Sequence, residues 1–235
     1  KNITIPSSVK KIGEYAFRLC TSLNEVILPQ SIIKIGEYVF LNCSSLQEIK
    51  IPTSIKEIPE SFLTGCTSLK NLVIPYSITS IGIHAFKGCS SLTNIVFPST
   101  INIIKLETFS GCSSIKEIRI PSSVTQIDDY SFFECSSLEQ VTLPSSLLSI
   151  GRYAFASCSS LILVSFEYNA SLKSIGWDAF DSCSSLIEIS IPSTVTEIGI
   201  SAFKGCLSLK KISIPSCIDS QYLGIDSNVE VIKYE

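Results

Sequence analysis

Ten cysteines and one histidine, His84, are the side chains of this 235-residue chain that could carry metal, redox or nucleophilic chemistry. Their spacing is regular. Cys20, Cys43, Cys66, Cys89, Cys112, Cys135 and Cys158 fall 23 residues apart, Cys183 follows after 25 and Cys206 after 23 again, while Cys217 stands off the comb. A disulfide framework does not fit this period. Residues on successive stacked coils point their Cβ atoms in parallel, whereas a disulfide needs them converging about a dihedral of roughly 90°. A zinc centre does not fit either, because its ligands usually come in pairs about two to four residues apart. Nine aligned thiols therefore read as one column of buried, small hydrophobic side chains, with Cys217 the distinct one. This reading leaves the redox compartment open.

Catalytic readings fare no better. A lone His84 cannot build a multi-histidine metal site and leaves one candidate base for any Ser or Cys nucleophile. It occupies the repeat slot that Tyr15, Tyr38, Tyr130 and Tyr153 fill elsewhere, which marks it as an exposed substitution in a turn. No G-x-S-x-G, Walker loop or H-E-x-x-H is present,. Gly88, Gly111 and Gly205 precede comb cysteines as backbone punctuation, not as a phosphate cradle. The sequence implies no enzyme and no cofactor.

Composition narrows the partners. A net charge of −3 offers no basic excess to neutralise phosphates, so nucleic acid is excluded as an expectation,. Every apolar run is broken by Ser or charge well short of about 18 residues, so no membrane span is expected in this fragment. Methionine is absent and position 1 is Lys, so the chain reads as a processed or excised part of a longer product.

The elements that must position these residues follow from the repeat, which outranks local propensity. Three residues after each comb Cys stands Leu23, Leu46, Leu69, Leu92, Ile115, Leu138, Leu161, Leu186 or Leu209. Three before it stands a Phe, except in the third copy, where Phe62 has moved one place forward and Leu63 fills the slot. Stretches such as Ile49-Lys-Ile51 alternate apolar and polar and then meet Pro52, so each reads as a short strand ended by a residue with no N–H to donate,. Segments such as Gly36-Glu-Tyr-Val-Phe40 read as one helical turn dropping an aromatic into the core. A single unit cannot bury its apolar columns. Stacked at the strand spacing of about 4.8 Å, successive units can, and the right-handed crossover is the expected hand.

The unit L-x-x-I-x-I-P-x-S-V-x-x-I-G-x-x-A-F-x-x-C-x-S resembles the leucine-rich repeats of the BspA-like type. Ile189-Ser-Ile-Pro-Ser-Thr-Val-Thr-Glu-Ile-Gly-Ile-Ser-Ala-Phe-Lys-Gly-Cys206 shows it almost intact. The resemblance implies an α/β repeat solenoid: a right-handed leucine-rich-repeat superhelix with a parallel β-sheet on the concave face and short helical turns on the other side. It covers residues 1–218, with 219–235 as a degenerate last repeat or cap. It also implies a hydrogen-bonding ladder at Ser31, Ser54, Ser77, Thr100, Ser123, Ser146, Asn169, Thr194 and Cys217. In function it implies a non-enzymatic protein-binding module, cell-surface or secreted and adhesin-like, contacting host or matrix proteins. The alternative is an intracellular protein–protein interaction scaffold using the same face.

Inward strand positions are set by packing, so a partner is expected at the outward ones. These are Glu25, Ile27, Glu48, Lys50, Asn71, Val73, Asn94, Val96, Glu117, Arg119, Gln140 and Leu163. One departure from register is notable. Between Cys158 and Cys183 two residues are added and the Pro is lost, and Phe166-Glu-Tyr-Asn-Ala-Ser171 should be extruded as a bulge,. Asn2-Ile-Thr4, Asn42-Cys-Ser44 and Asn169-Ala-Ser171 fit the glycan acceptor pattern, with only Asn169 expected to be well exposed,.

Overall fold

A computed structural model describes all residues from Lys1 to Glu235. Each coil contributes two short strands. The first carries the alternating pattern, as in Glu25–Ile27, Asn71–Val73, Glu117–Arg119 and Gln140–Leu143; the second is a two-residue segment such as Lys34–Ile35 or Ser149–Ile150. Every pairing is parallel and links one coil to the next, so that Asn71 faces Asn94, Glu117 faces Gln140 and Gln140 faces Leu163. The inserted pair of residues is absorbed without losing this register, because Leu163 still faces Glu188 and Ser149 faces Ser174, each 25 residues on. The result is a parallel-strand solenoid of about ten turns.

The proline after the first strand, present in every coil but the one at Leu163–Phe166, turns the chain by accepting a hydrogen bond. The Pro29 carbonyl takes the N–H of Ile32 at 3.1 Å, and Pro121, Pro144 and Pro192 do the same for Val124, Leu147 and Val195. The hydroxyl two residues beyond that proline then reaches back one coil: Ser31 donates to the Val9 carbonyl at 2.8 Å and Ser146 to that of Val124 at 2.7 Å. Ser77 breaks the ladder, its hydroxyl buried without a partner. Asn169 leaves it too, and Thr194 bonds the carbonyl of Ala170 instead.

The expected helical turns are not helical, which corrects the α/β expectation. The sole helix is a three-residue 3₁₀ segment, Ser220–Tyr222. In each coil the residues five and one before the comb Cys adopt positive φ, as at Tyr15 and Leu19 (57° and 60°), Tyr130 and Glu134 (57° and 58°) and Tyr153 and Ser157 (53° and 60°). A left-handed residue cannot continue a right-handed helix. Its consequence is a second ladder: the N–H groups of Tyr130, Phe132 and Glu134 donate to the carbonyls of Arg152, Ala154 and Ala156 in the next coil. Hydrogen bonding between coils thus replaces the i to i−4 bonds a helix would have made. Glu and Ala favour a helix in sequence, but the stacking of neighbours decides the conformation of these turns.

The core is a set of columns. Phe86, Phe109, Phe132, Phe155, Phe180 and Phe203 stack in succession with ring centroids 5.1 to 5.5 Å apart and planes within 20° of parallel. The displaced Phe62 meets Phe40 edge-on at 76°, and both Phe62 and Leu63 are fully buried. Shifting one aromatic by one residue therefore changes the stacking geometry without opening the core. At the far end, Leu223 is buried and Glu230–Tyr234 pairs in parallel with Lys211–Pro215, covering the last coil. No helix is long and apolar enough to cross a membrane.

Candidate protein-binding face

The strands place alternate residues on opposite faces. Val26, Ile49, Leu72, Ile118 and Val141 point inward and are buried, so Glu25, Ile27, Glu48, Lys50, Asn71, Val73, Asn94, Val96, Glu117, Arg119, Gln140 and Leu163 all emerge on one surface. Glu25 is half-buried and the other eleven are exposed. The apolar members stand well out: Val73 is 67% exposed, Val96 52% and Ile27 50%. Monomer surfaces carry single exposed hydrophobes routinely, but Val73 and Val96 face each other on paired strands as an apolar pair, while Ile27 stands two coils from Val73 beyond Lys50,.

The relief of this face separates its residues into groups. A groove of about 980 Å³ gathers Glu25, Glu48, Lys50, Asn71 and Val73 with Asn24, Lys70 and Tyr76. A shallower depression of about 410 Å³ holds Asn94, Val96, Glu117 and Arg119, and a third of about 350 Å³ holds Leu163 beside Ser165 and Glu188. Ile27 and Gln140 lie outside all three. Tyr76, 80% exposed at the rim of the first groove, was not anticipated. A signal for it exists, since its column otherwise carries small polar residues such as Thr53, Ser99, Ser122 and Ser145.

Charges on this face are loosely held. Lys50 and Glu48 approach at 3.8 Å and Arg119 and Glu117 at 3.2 Å, each pair within one strand and largely solvated. Such pairs contribute about 0–1 kcal/mol and can exchange partners cheaply. Glu25 and Glu48 face each other directly across two strands. Like charges so placed are mildly destabilising. The amide of Asn2 relieves one side by donating to Glu25 at 3.0 Å.

The thiols and the histidine have other work. Cys112, Cys135 and Cys158 each donate to the carbonyl of the core Phe one coil back, at 3.3 Å, and Cys43 does so at 3.0 Å. The column is thus a hydrogen-bonded ladder, where sequence reasoning saw only apolar packing. Burial pushes the thiols of Cys89 and Cys135 up from 9.0 to about 12 and that of Cys43 to about 11, which suppresses the reactive thiolate,. All ten cysteines are free, and Cys217 alone is exposed. His84 is only about a quarter exposed, with Nε2 3.7 Å from one carboxylate oxygen of Glu107 while Lys87 contacts the other. Its expected exposed position is therefore corrected: the imidazole packs into a charged cluster with Glu107 and Lys87. No group of three or more His, Cys, Asp and Glu is placed to hold a metal ion.

Known proteins share this architecture. The family described as BspA type leucine rich repeat region matches residues 1–116 and 102–225. A leucine rich cell surface protein from Faecalibacterium prausnitzii is 25% identical with a TM-score of 0.60, over 100% of this chain and 79% of that one. A leucine-rich repeat protein from Bacteroides ovatus is 24% identical with a TM-score of 0.56, over 100% and 92%. The pneumococcal vaccine antigen PcpA is 21% identical with a TM-score of 0.62, over 99% and 65%. No curated protein matches the chain.

Proposed function

The chain belongs to the BspA-type leucine-rich repeat family, and from that premise we propose that it is a non-enzymatic protein-binding module, surface-exposed or secreted and adhesin-like, engaging host or matrix proteins through its concave strand face. The observation that carries the reading is the pair of exposed valines, Val73 and Val96, facing each other on adjacent strands among amides and loosely paired charges. An apolar centre with a polar, desolvatable rim is the composition of a protein interface. Tyr76 adds an exposed aromatic of the kind that anchors such contacts. The facing carboxylates of Glu25 and Glu48 favour a partner that brings a Lys or Arg to that end of the groove,.

The exported location is supported by the likeness to a protein described as cell-surface. The comb thiols do not bear on it, because their parallel arrangement along the column disfavours pairing with one another in any compartment,. The test is binding to a panel of purified host-surface and matrix proteins by biolayer interferometry. Wild-type chain should capture at least one, and a chain with Asn71→Lys, Val73→Asp and Val96→Asp should lose 100-fold or more in affinity. A captured partner whose affinity is unmoved by these changes does not use this face, and a panel without any binder contradicts the adhesin reading.

A further inference from the structure

We propose that Asn169 is the acceptor of an N-linked glycan, and the single acceptor among the three Asn-x-Ser/Thr sequences once the solenoid has folded. The three share a pattern but not an environment. Asn2 lies in the strand Asn2–Thr4, paired with Glu25–Ile27, and its Nδ2 already donates to Glu25. Asn42 is followed by Cys43, which is fully buried and donates its thiol to the Phe17 carbonyl. Its own N–H donates to Thr64 in the next coil at 2.7 Å, and its Oδ1 lies where a Cβ on Gly65 would stand. Presenting Asn42 to an enzyme would draw a core rung out of the solenoid.

Asn169 meets none of these obstacles. The two added residues lift Tyr168 and Asn169 off the coil, where Tyr168 is 89% exposed and Asn169 is exposed with φ 57°, a left-handed turn that Asn tolerates well,. Neither the Asn169 amide nor the Ser171 hydroxyl has a hydrogen-bond partner, so both groups that an acceptor site must present are free. The bulge is anchored beside them, not through them. Glu167 accepts the N–H of Ser145 at 2.9 Å, and the Ser171 N–H donates to the Ser145 carbonyl at 3.0 Å. Tyr168 and Asn169 can therefore enter an active site without disturbing a core residue, the one bond at stake beside them being that from the Thr194 hydroxyl to the Ala170 carbonyl.

In the transfer, Asn169 Nδ2 attacks the anomeric carbon of an oligosaccharide carried on a lipid pyrophosphate. The C–N bond forms, the anomeric C–O bond to phosphate breaks, the lipid pyrophosphate leaves and the Nδ2 proton passes to a base of the transferase. Occupancy in the source cell rests on the exported reading above; the acceptor geometry does not. The experiment incubates the purified, folded chain with a purified oligosaccharyltransferase and its lipid-linked oligosaccharide, alongside synthetic peptides spanning residues 1–8, 38–48 and 165–175. Intact mass and peptide mapping should show one glycan, at Asn169, lost in Asn169→Gln and in Ser171→Ala, which leaves the turn unchanged. The three peptides should all be modified, so that selection in the folded chain is due to the fold. A folded chain left bare while the 165–175 peptide is modified overturns the proposal, as does a glycan on Asn2 or Asn42. A glycan at Asn169 in this assay but none on protein isolated from a source cell that carries such a transferase overturns the exported reading alone.

Discussion

Left-handed residues are where this sequence and its structure part company most clearly. Glu134 holds φ 58° at a position where Gly65, Gly88, Gly111 and Gly205 hold 69° to 73°. A side chain in that region costs about 1–2 kcal/mol relative to an unstrained conformation, part of which glycine gives back through the entropy of the unfolded chain. Glu134→Gly should therefore raise stability by about 0.5–1 kcal/mol, read as a higher urea midpoint. Were these residues a helical turn, the same change would cost about 1 kcal/mol, so the sign separates the two conformations. Glycines at the corresponding slots of four coils carried this information in the sequence. The one-turn spacing that drops Phe40 and its counterparts into the core hid it, because a single coil does not reveal that its N–H groups will be claimed by the next. Tyr76 was missed for a different reason: attention to strand positions passed over the rim, where one aromatic interrupts a column of small polar residues.

At the level of the columns, aromatic stacking and thiol donation act on the same coils. Removing the Phe132 ring from between Phe109 and Phe155 leaves a cavity that rigid neighbouring coils cannot close, and Phe132→Ala should cost about 3–5 kcal/mol,. A loss under 1 kcal/mol in chemical unfolding would show that the stack is not part of the core. The thiols predict a pH dependence. Unfolded, they ionise near 9.0; folded, burial holds Cys89 and Cys135 protonated up to about 12. Below pH 9 both states keep the protons and the thiols add no slope. Between 9 and 12 the unfolded chain releases protons that the native chain retains, so stability falls with rising pH at about 1.4 kcal/mol per unit for each such thiol. Several thiols together exceed the stability of an ordinary domain, about 5–15 kcal/mol, and the chain should unfold cooperatively within that window. Circular dichroism that stays native through pH 12 would contradict the burial of the column. At pH 7.5 a thiol reagent should react promptly with Cys217 and far more slowly with Cys43 and its buried neighbours, until denaturant exposes all ten. The comb spacing made burial legible in the sequence, whereas the thiol's bond to a Phe carbonyl depends on the stagger between coils and leaves no trace in a single repeat.

Over the whole molecule, stability is a sum of coils and the contacts between neighbours. Excising residues 113–135, one complete period, should leave a folded solenoid one coil shorter with a similar circular dichroism spectrum. Excising only 113–124 should not, because every strand beyond the cut loses register with its neighbour. The period was legible from the first comparison of cysteines, and the outward strand residues from the alternation of polar and apolar. Their division among three depressions was not, since it depends on side-chain sizes in adjacent columns. The claim that a partner lies across the strand face is tested most directly by carboxylate footprinting of the complex between the full chain and the tightest-binding protein of the panel. Glu25, Glu48 and Glu117 should be protected from labelling when the partner is bound, while Glu14 and Glu37, on the side of the left-handed turns, keep the reactivity they have in the free chain. Protection of Glu14 and Glu37 with unchanged labelling of Glu25, Glu48 and Glu117 would contradict it.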